Sequence, residues 1–195
     1  LMDEIRKQMQ MVEAATGKVF GGAENPLLIS VRSGSALSMP GMMDTILNLG
    51  LNRETLQGEI NQTHDERFAY DAYRRFIHLF GKVAQGVPDE KFDARFERNK
   101  QEAHVTEDFG MSADDLKAAC EAFLDVFAEH TGRAFPEDPF DQLEIAIKAV
   151  LRSWMGKRAV DYRREFKITP DLAIGTAVNM CTMVFGNRGN DSATG

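Results

Sequence analysis

The chain is short of the features that mark several protein classes. It carries two cysteines in 195 residues, Cys120 and Cys181, far apart and without a CxxC spacing, so neither a disulfide framework nor a structural zinc site has support. Both read as buried thiols in a reducing cytoplasm. Nowhere does an apolar run approach the ~18 residues of a membrane helix, and the N-terminal segment lacks the apolar stretch of a signal peptide. Positive charge is also scarce: 23 Lys and Arg stand against 30 Asp and Glu, a net charge of -7. Nonspecific nucleic-acid and anionic-membrane binding are thereby disfavoured, since both select Lys/Arg-rich surfaces. Any phosphate must be met locally.

What is present is ordinary globular material, 43% hydrophobic and 27% charged, enough for one full domain or two small ones without a staple. The chain begins at Leu1 without an initiator Met and stops at Gly195 in a small polar segment, which reads as a piece of a longer polypeptide. Ile5, Met9 and Val12 recur at helical spacing before Gly17, predicting a helix over 1–15. Leu27 to Val31 is a short apolar run that predicts a buried strand. Behind it, Ser33 to Gly41 reads as a small-residue loop, and Met42 to Leu49 has the spacing of a short helix closed by Gly50. A loop opening into a helix offers free amides and a positive dipole end to an anion.

The following stretch is mostly helical. Amphipathic surface helices are predicted over 64–84 and 89–103, and a capping-box start at Ser112 to Asp115 opens a helix that ends at Gly132. Further helices are predicted over 141–154 and 158–166. Thr176 to Phe185 turns strand-like, and Gly186 to Gly195 reads as a turn or phosphate-type loop. The first strand needs a partner, and the next convincing one comes roughly 145 positions later, so the two are expected to share a sheet. The expected class is α+β, with a strand-containing base interrupted by helices.

SVRSGSALSMPGMMDTILNLGLN (Ser30 to Asn52) closely resembles the corresponding part of the pyruvate, phosphate dikinase family. RFAYDAYRRF (67–76), RSW (152–154), YRR (162–164) and TAVNMCTMVFGN (176–187) follow in that family's order. The resemblance implies a partial ATP-grasp lobe in three parts: 1–51 as its first part, 52–138 as an inserted helical subdomain, and 139–195 as the return to the lobe, cut at the phosphate loop. It implies that Arg32 meets nucleotide phosphates, that the Gly41 backbone approaches them, that Arg75 stands near the terminal or inorganic phosphate, and that Thr194 and Gly195 end a loop closing over phosphates. A planar guanidinium suits bidentate phosphate binding, and of Arg74 and Arg75, about 100° apart on a helix, one at most faces such a site. Met39, Met42 and Met43 are read as core.

The parent enzyme so implied converts ATP, phosphate and pyruvate to AMP, pyrophosphate and phosphoenolpyruvate with Mg²⁺, in a cytoplasmic homo-oligomer whose phosphohistidine and pyruvate-binding domains are its partners. No catalytic residue is assigned here: His64, His78, His104 and His130 sit in helical segments and read as surface or partly buried. Metal ligands are expected outside 1–195, so this chain alone is expected to be inactive and to bind ATP weakly. The rival readings are a water-dikinase relative of the phosphoenolpyruvate synthase kind, and a helical interaction module with Tyr70, Tyr73 and Phe80 exposed as a docking patch.

Overall fold

The computed structural model describes residues 1–187, 192 and 193. A first helix α1 (Met2–Thr16) ends at Gly17 in the left-handed region, as its sequence predicts. Strand β1 (Ile29–Ser35) and strand β2 (Thr45–Leu49) form a hairpin around the loop of residues 36–44. Six helices follow: α2 (Arg53–Thr63), α3 (Glu66–Gln85), α4 (Asp89–Glu102), α5 (Ala113–Thr131), α6 (Pro139–Ser153) and α7 (Lys157–Glu165), with a 3₁₀ turn at Asp108–Gly110. Strand β3 (Thr176–Thr182) returns to the sheet, whose order is β2-β1-β3 with both pairings antiparallel. The fold is α+β, and the expected pairing of the first strand with the last is present.

Cross-strand register sorts the sheet into two faces. Val31 stands opposite Ile46 and Met180, and Ile29 opposite Leu49; Val31, Ile46 and Leu49 are fully buried. Against this face pack α3 and α6, with α2 and α5 on α3 and α4 on α5. The other face carries Arg32 between Thr45 and Asn179.

Several expectations are corrected. Met42 to Leu49 forms no helix: its last five residues are β2, and Ser33 to Ser35 belong to β1 rather than to a loop. An eight-residue helix is marginal alone, whereas the extended form buries Ile46 and Leu49 and completes one edge of β1. The anion-binding helix terminus behind the loop therefore does not exist. Nor is α3 a surface helix. Tyr73, Phe76, Ile77 and Phe80 are buried, and Phe76 and Phe80 meet the Phe135 ring edge to face at 5.5 and 5.2 Å, pairs that stabilise by about 1 kcal/mol each beyond their burial. Burial of Tyr73 and Phe80 removes the proposed docking patch. Cys181 is exposed rather than buried, because it lies on the open face opposite Ser30, while Cys120 is buried as expected. Of the methionines read as core, Met39 is buried and Met42 and Met43 are half-buried. Among the described residues, no helix is long and apolar enough to cross a membrane.

Buried amides lock the hairpin to the helices. Gln142, with no solvent exposure, accepts from Gly50 N at 3.1 Å and donates to Leu51 O at 2.9 Å and Pro136 O at 2.8 Å. Asn48 donates to Ala72 O on α3, and Asn52 caps α2 while donating to Glu137 O. Replacing Gln142 with Leu strands three backbone groups at about 1 kcal/mol or more each. Urea titration of Gln142→Leu should therefore show about 3 kcal/mol lost with an unchanged m-value; a loss under about 1 kcal/mol contradicts the lock. At the start of α5, hydrogen bonds from the Ser112 hydroxyl and then its amide hold Asp115 below the usual carboxylate range. A depressed carboxylate stabilises above its unfolded pKa, and that contribution is lost as pH falls through the folded value. Ser112→Ala should cost about 1 kcal/mol at neutral pH, and its deficit in denaturation curves should shrink below about pH 4.

Candidate functional site

The 36–44 loop closes the hairpin over a hollow of about 510 Å³ lined by Ser33 to Gly41, Met43 and Thr45. Met39 is buried and anchors the loop. Gly41 has φ 71°, a left-handed conformation costly for a side-chain-bearing residue, and nothing lies within 4 Å of where a Cβ would be. The glycine is thus required by backbone conformation and leaves open space beside it. Met42 N donates to Met39 O at 3.2 Å. The amides of Leu37, Ser38, Gly41 and Met43 meet no acceptor among the described residues. Such bare N–H groups can hold oxyanions without a helix dipole.

Arg32 stands in mid-β1, exposed, with no side-chain hydrogen bond or ion pair among the described residues. It does not line the hollow, but its cross-strand partner Thr45 does. Beside it, a Cβ on Gly34 would meet Asn179 Nδ2 at 2.6 Å, so the missing side chain lets Asn179 lie across β1. Arg32 and Gly41 therefore share one hairpin.

Arg75 stands in a second cleft, of about 210 Å³, with Leu47, Asn48, Asp71 and residues 183–187. The two hollows share no lining residue, but both draw on β2: Thr45 lines one, Leu47 and Asn48 the other. The neighbouring arginines do diverge. Arg74 is buried on Asp71 at 2.7 Å and over the Phe96 ring at 4.1 Å, whereas Arg75 is 61% exposed and reaches Asp71 through Nε at 2.8 Å. Thr194 and Gly195 lie outside the described residues. His64, His104 and His130 are exposed and His78 is half-buried.

Sequence reasoning missed the fastening of the loop. Asp44 N donates to Ser153 Oγ at 3.2 Å, and Ser153 Oγ donates to Val150 O at 2.7 Å. Arg158 of α7 donates through Nη2 to Asp44 Oδ1 at 2.8 Å and through Nη1 to Gly41 O at 3.4 Å. These partners lie 109 to 117 positions apart, beyond the reach of any local pattern. The described residues group no three His, Cys, Asp or Glu side chains as a metal ion requires, and Asp44, the acid of the loop, is committed to Arg158.

A family model described as the pyruvate phosphate dikinase AMP/ATP-binding domain matches residues 1–195. The chain is 60% identical over its whole length to a pyruvate, phosphate dikinase of Entamoeba histolytica, covering 22% of that protein. It is 48% identical over its whole length to one of Giardia intestinalis, again covering 22%. To a chloroplastic pyruvate, phosphate dikinase of Mesembryanthemum crystallinum it is 47% identical over its whole length, covering 20%. It thus spans about a fifth of the length of these curated relatives.

The loop geometry yields a test of why Gly41 is glycine. Since φ is left-handed and the Cβ position is open, Gly41→Ala should destabilise by about 1 kcal/mol, and Gly41→Asn by about half as much because Asn tolerates that region. Equal losses in thermal or urea denaturation would contradict a conformational cause.

Proposed function

This chain belongs to the family of the pyruvate phosphate dikinase AMP/ATP-binding domain, and from that membership we propose that it holds the phosphates of ATP within a longer phosphotransferase. The observation that carries the reading is an exposed arginine with no partner among the described residues, Arg32, on the same hairpin as a loop whose amides meet no acceptor. Phosphoryl transfer asks the protein mainly for charge positioning around the transferring group. Arg32 offers a planar fork for bidentate contact with phosphate oxygens, and the Gly41 amide a neutral donor on the same hairpin. In the second cleft Arg75 takes the terminal or inorganic phosphate, exchanging its exposed contact with Asp71 for it. Thr194 and Gly195 belong to the loop that closes over the phosphates.

The reaction we assign to the longer polypeptide is conversion of ATP, inorganic phosphate and pyruvate to AMP, pyrophosphate and phosphoenolpyruvate. Its phosphohistidine and pyruvate-binding domains are then the partners of this one, in a homo-oligomer. Residues 1–51 and 139–195 form parts of an ATP-grasp lobe in this reading, with 52–138 inserted. A Mg²⁺ on the phosphates would draw its carboxylates from elsewhere in the longer polypeptide, because the acids described here do not cluster. Two free thiols support a reducing compartment, for which we propose the cytoplasm; the relatives from plants are chloroplastic. The relatives from Entamoeba histolytica, Giardia intestinalis and Mesembryanthemum crystallinum are each named pyruvate, phosphate dikinase, which favours the phosphate-using reaction over a water dikinase.

Arg32→Met in the complete protein should weaken ATP about tenfold or more, the equivalent of one charge-assisted contact, while leaving adenosine binding unchanged. Calorimetric titration with both ligands measures this, and an unchanged ATP affinity would remove Arg32 from the site. The 195-residue chain alone should bind ATP more weakly than about 1 mM.

A further inference from the structure

The contact between Arg158 and the loop falls on the peptide whose orientation matters most. At the Gly41–Met42 peptide the carbonyl accepts from Arg158 Nη1 and the N–H donates to Met39 O. Both ends of that peptide plane are therefore held. Without such restraint a glycine next to open space can rotate its peptide at little steric cost, and Gly41 has both φ 71° and open space. A rotated peptide would turn the Gly41 carbonyl oxygen, a partial negative charge, from Arg158 toward an anion in the hollow and break the Met42 N–H bond to Met39 O.

We propose that Arg158 is a positioning residue for phosphate binding: it clamps the Gly41 carbonyl on the side of α7 and so keeps that oxygen turned away from the nucleotide phosphates. The proposal rests on the nucleotide reading of the loop. Arg158 does not line the hollow, so it acts through the loop rather than on the ligand. Its guanidinium spans two acceptors, Asp44 Oδ1 and Gly41 O, a task for a planar fork that a lysine's point charge does not reproduce. Asp44 is in turn fixed by the Ser153 hydroxyl at the end of α6, which gives the clamp a rigid footing. With its side chain 66% exposed, Arg158 contributes little to global stability. Its effect is local.

The test compares Arg158→Met, Arg158→Lys and Arg32→Met in the complete protein, by calorimetry with ATP and with adenosine, alongside amide hydrogen exchange without nucleotide. Both Arg158 variants should weaken ATP about tenfold, leave adenosine unchanged and keep the thermal midpoint within about 2 °C. Exchange at the Met42 amide should rise about tenfold in Arg158→Met. Unchanged Met42 exchange overturns the clamp whatever happens to ATP. Full ATP affinity in Arg158→Lys overturns the need for a fork and leaves only charge. Full affinity in Arg158→Met, with Arg32→Met impaired, overturns the link from clamp to binding. If Arg32→Met alone leaves ATP unaffected, the nucleotide reading fails on its own account, and Met42 exchange still decides the clamp.

Discussion

The pairing of β1 with β3 is the constraint on which the rest of the molecule depends. β1 is the central strand, and one of its edges is completed by β3, whose residues pair from Ser35 with Thr176 to Ile29 with Thr182, well over a hundred positions along the chain. Loop closure over such a distance is entropically unfavourable, so the intervening helices must return the chain to the same place with little latitude. They do so by packing α3 and α6 on the buried face of the sheet, with Phe76, Phe80, Phe127 and Phe135 in one aromatic cluster. The open face then presents Arg32 between strands that both flanks hold in register. Had β3 not returned, Arg32 would project from an edge of a two-stranded ribbon, which is marginal in water.

Much of this was legible in the sequence where the signal is local. The end of α1 at Gly17, the capping box at Ser112 and Asp115, the stop at Gly132 and the β-branched run of β3 each announce themselves within a few residues, and each stands in the structure. The failures share one cause: the deciding partner was distant. Met42 to Leu49 carries apolar residues at positions compatible with either a helix or a strand, and the choice is made by Val31 and Arg32 across the hairpin. α3 has a strong amphipathic pattern, which does not reveal that helices pack on several of its sides. Cys181 sits in an apolar segment, yet the face that would have covered it is open.

The site divides in the same way. Arg32, Gly41 and Arg75 were singled out by resemblance, and composition or periodicity would not have chosen them from among the other arginines and glycines. The helical period does separate Arg74 from Arg75, whereas the loop leads into β2, so no helix dipole stands behind it. Arg158, Asp44 and Ser153 had no signal to give. Each is an ordinary residue until the fold brings α6 and α7 to the hairpin.

Stability and the proposed phosphate binding fall to different side chains, and the division follows burial. Asn48, Asn52 and Gln142 are buried and bonded to backbone, so their loss leaves unsatisfied groups in a low-dielectric interior, where the penalty is large. The cations nearest the two hollows are exposed and weakly held: Arg32 has no partner among the described residues, Arg75 shares Asp71 with the buried Arg74, and Arg158 contacts the loop from solvent. An exposed pair contributes about 0–1 kcal/mol, less than a charge-assisted contact with a phosphate oxygen at about 1.5–3 kcal/mol. Asp71 illustrates the consequence. Its tie to Arg74 is buried and backed by the Phe96 ring, so it stays, whereas its tie to Arg75 is the one an incoming anion can displace. In the proposed reading the same carboxylate holds one arginine for the fold and leaves the other to the phosphate.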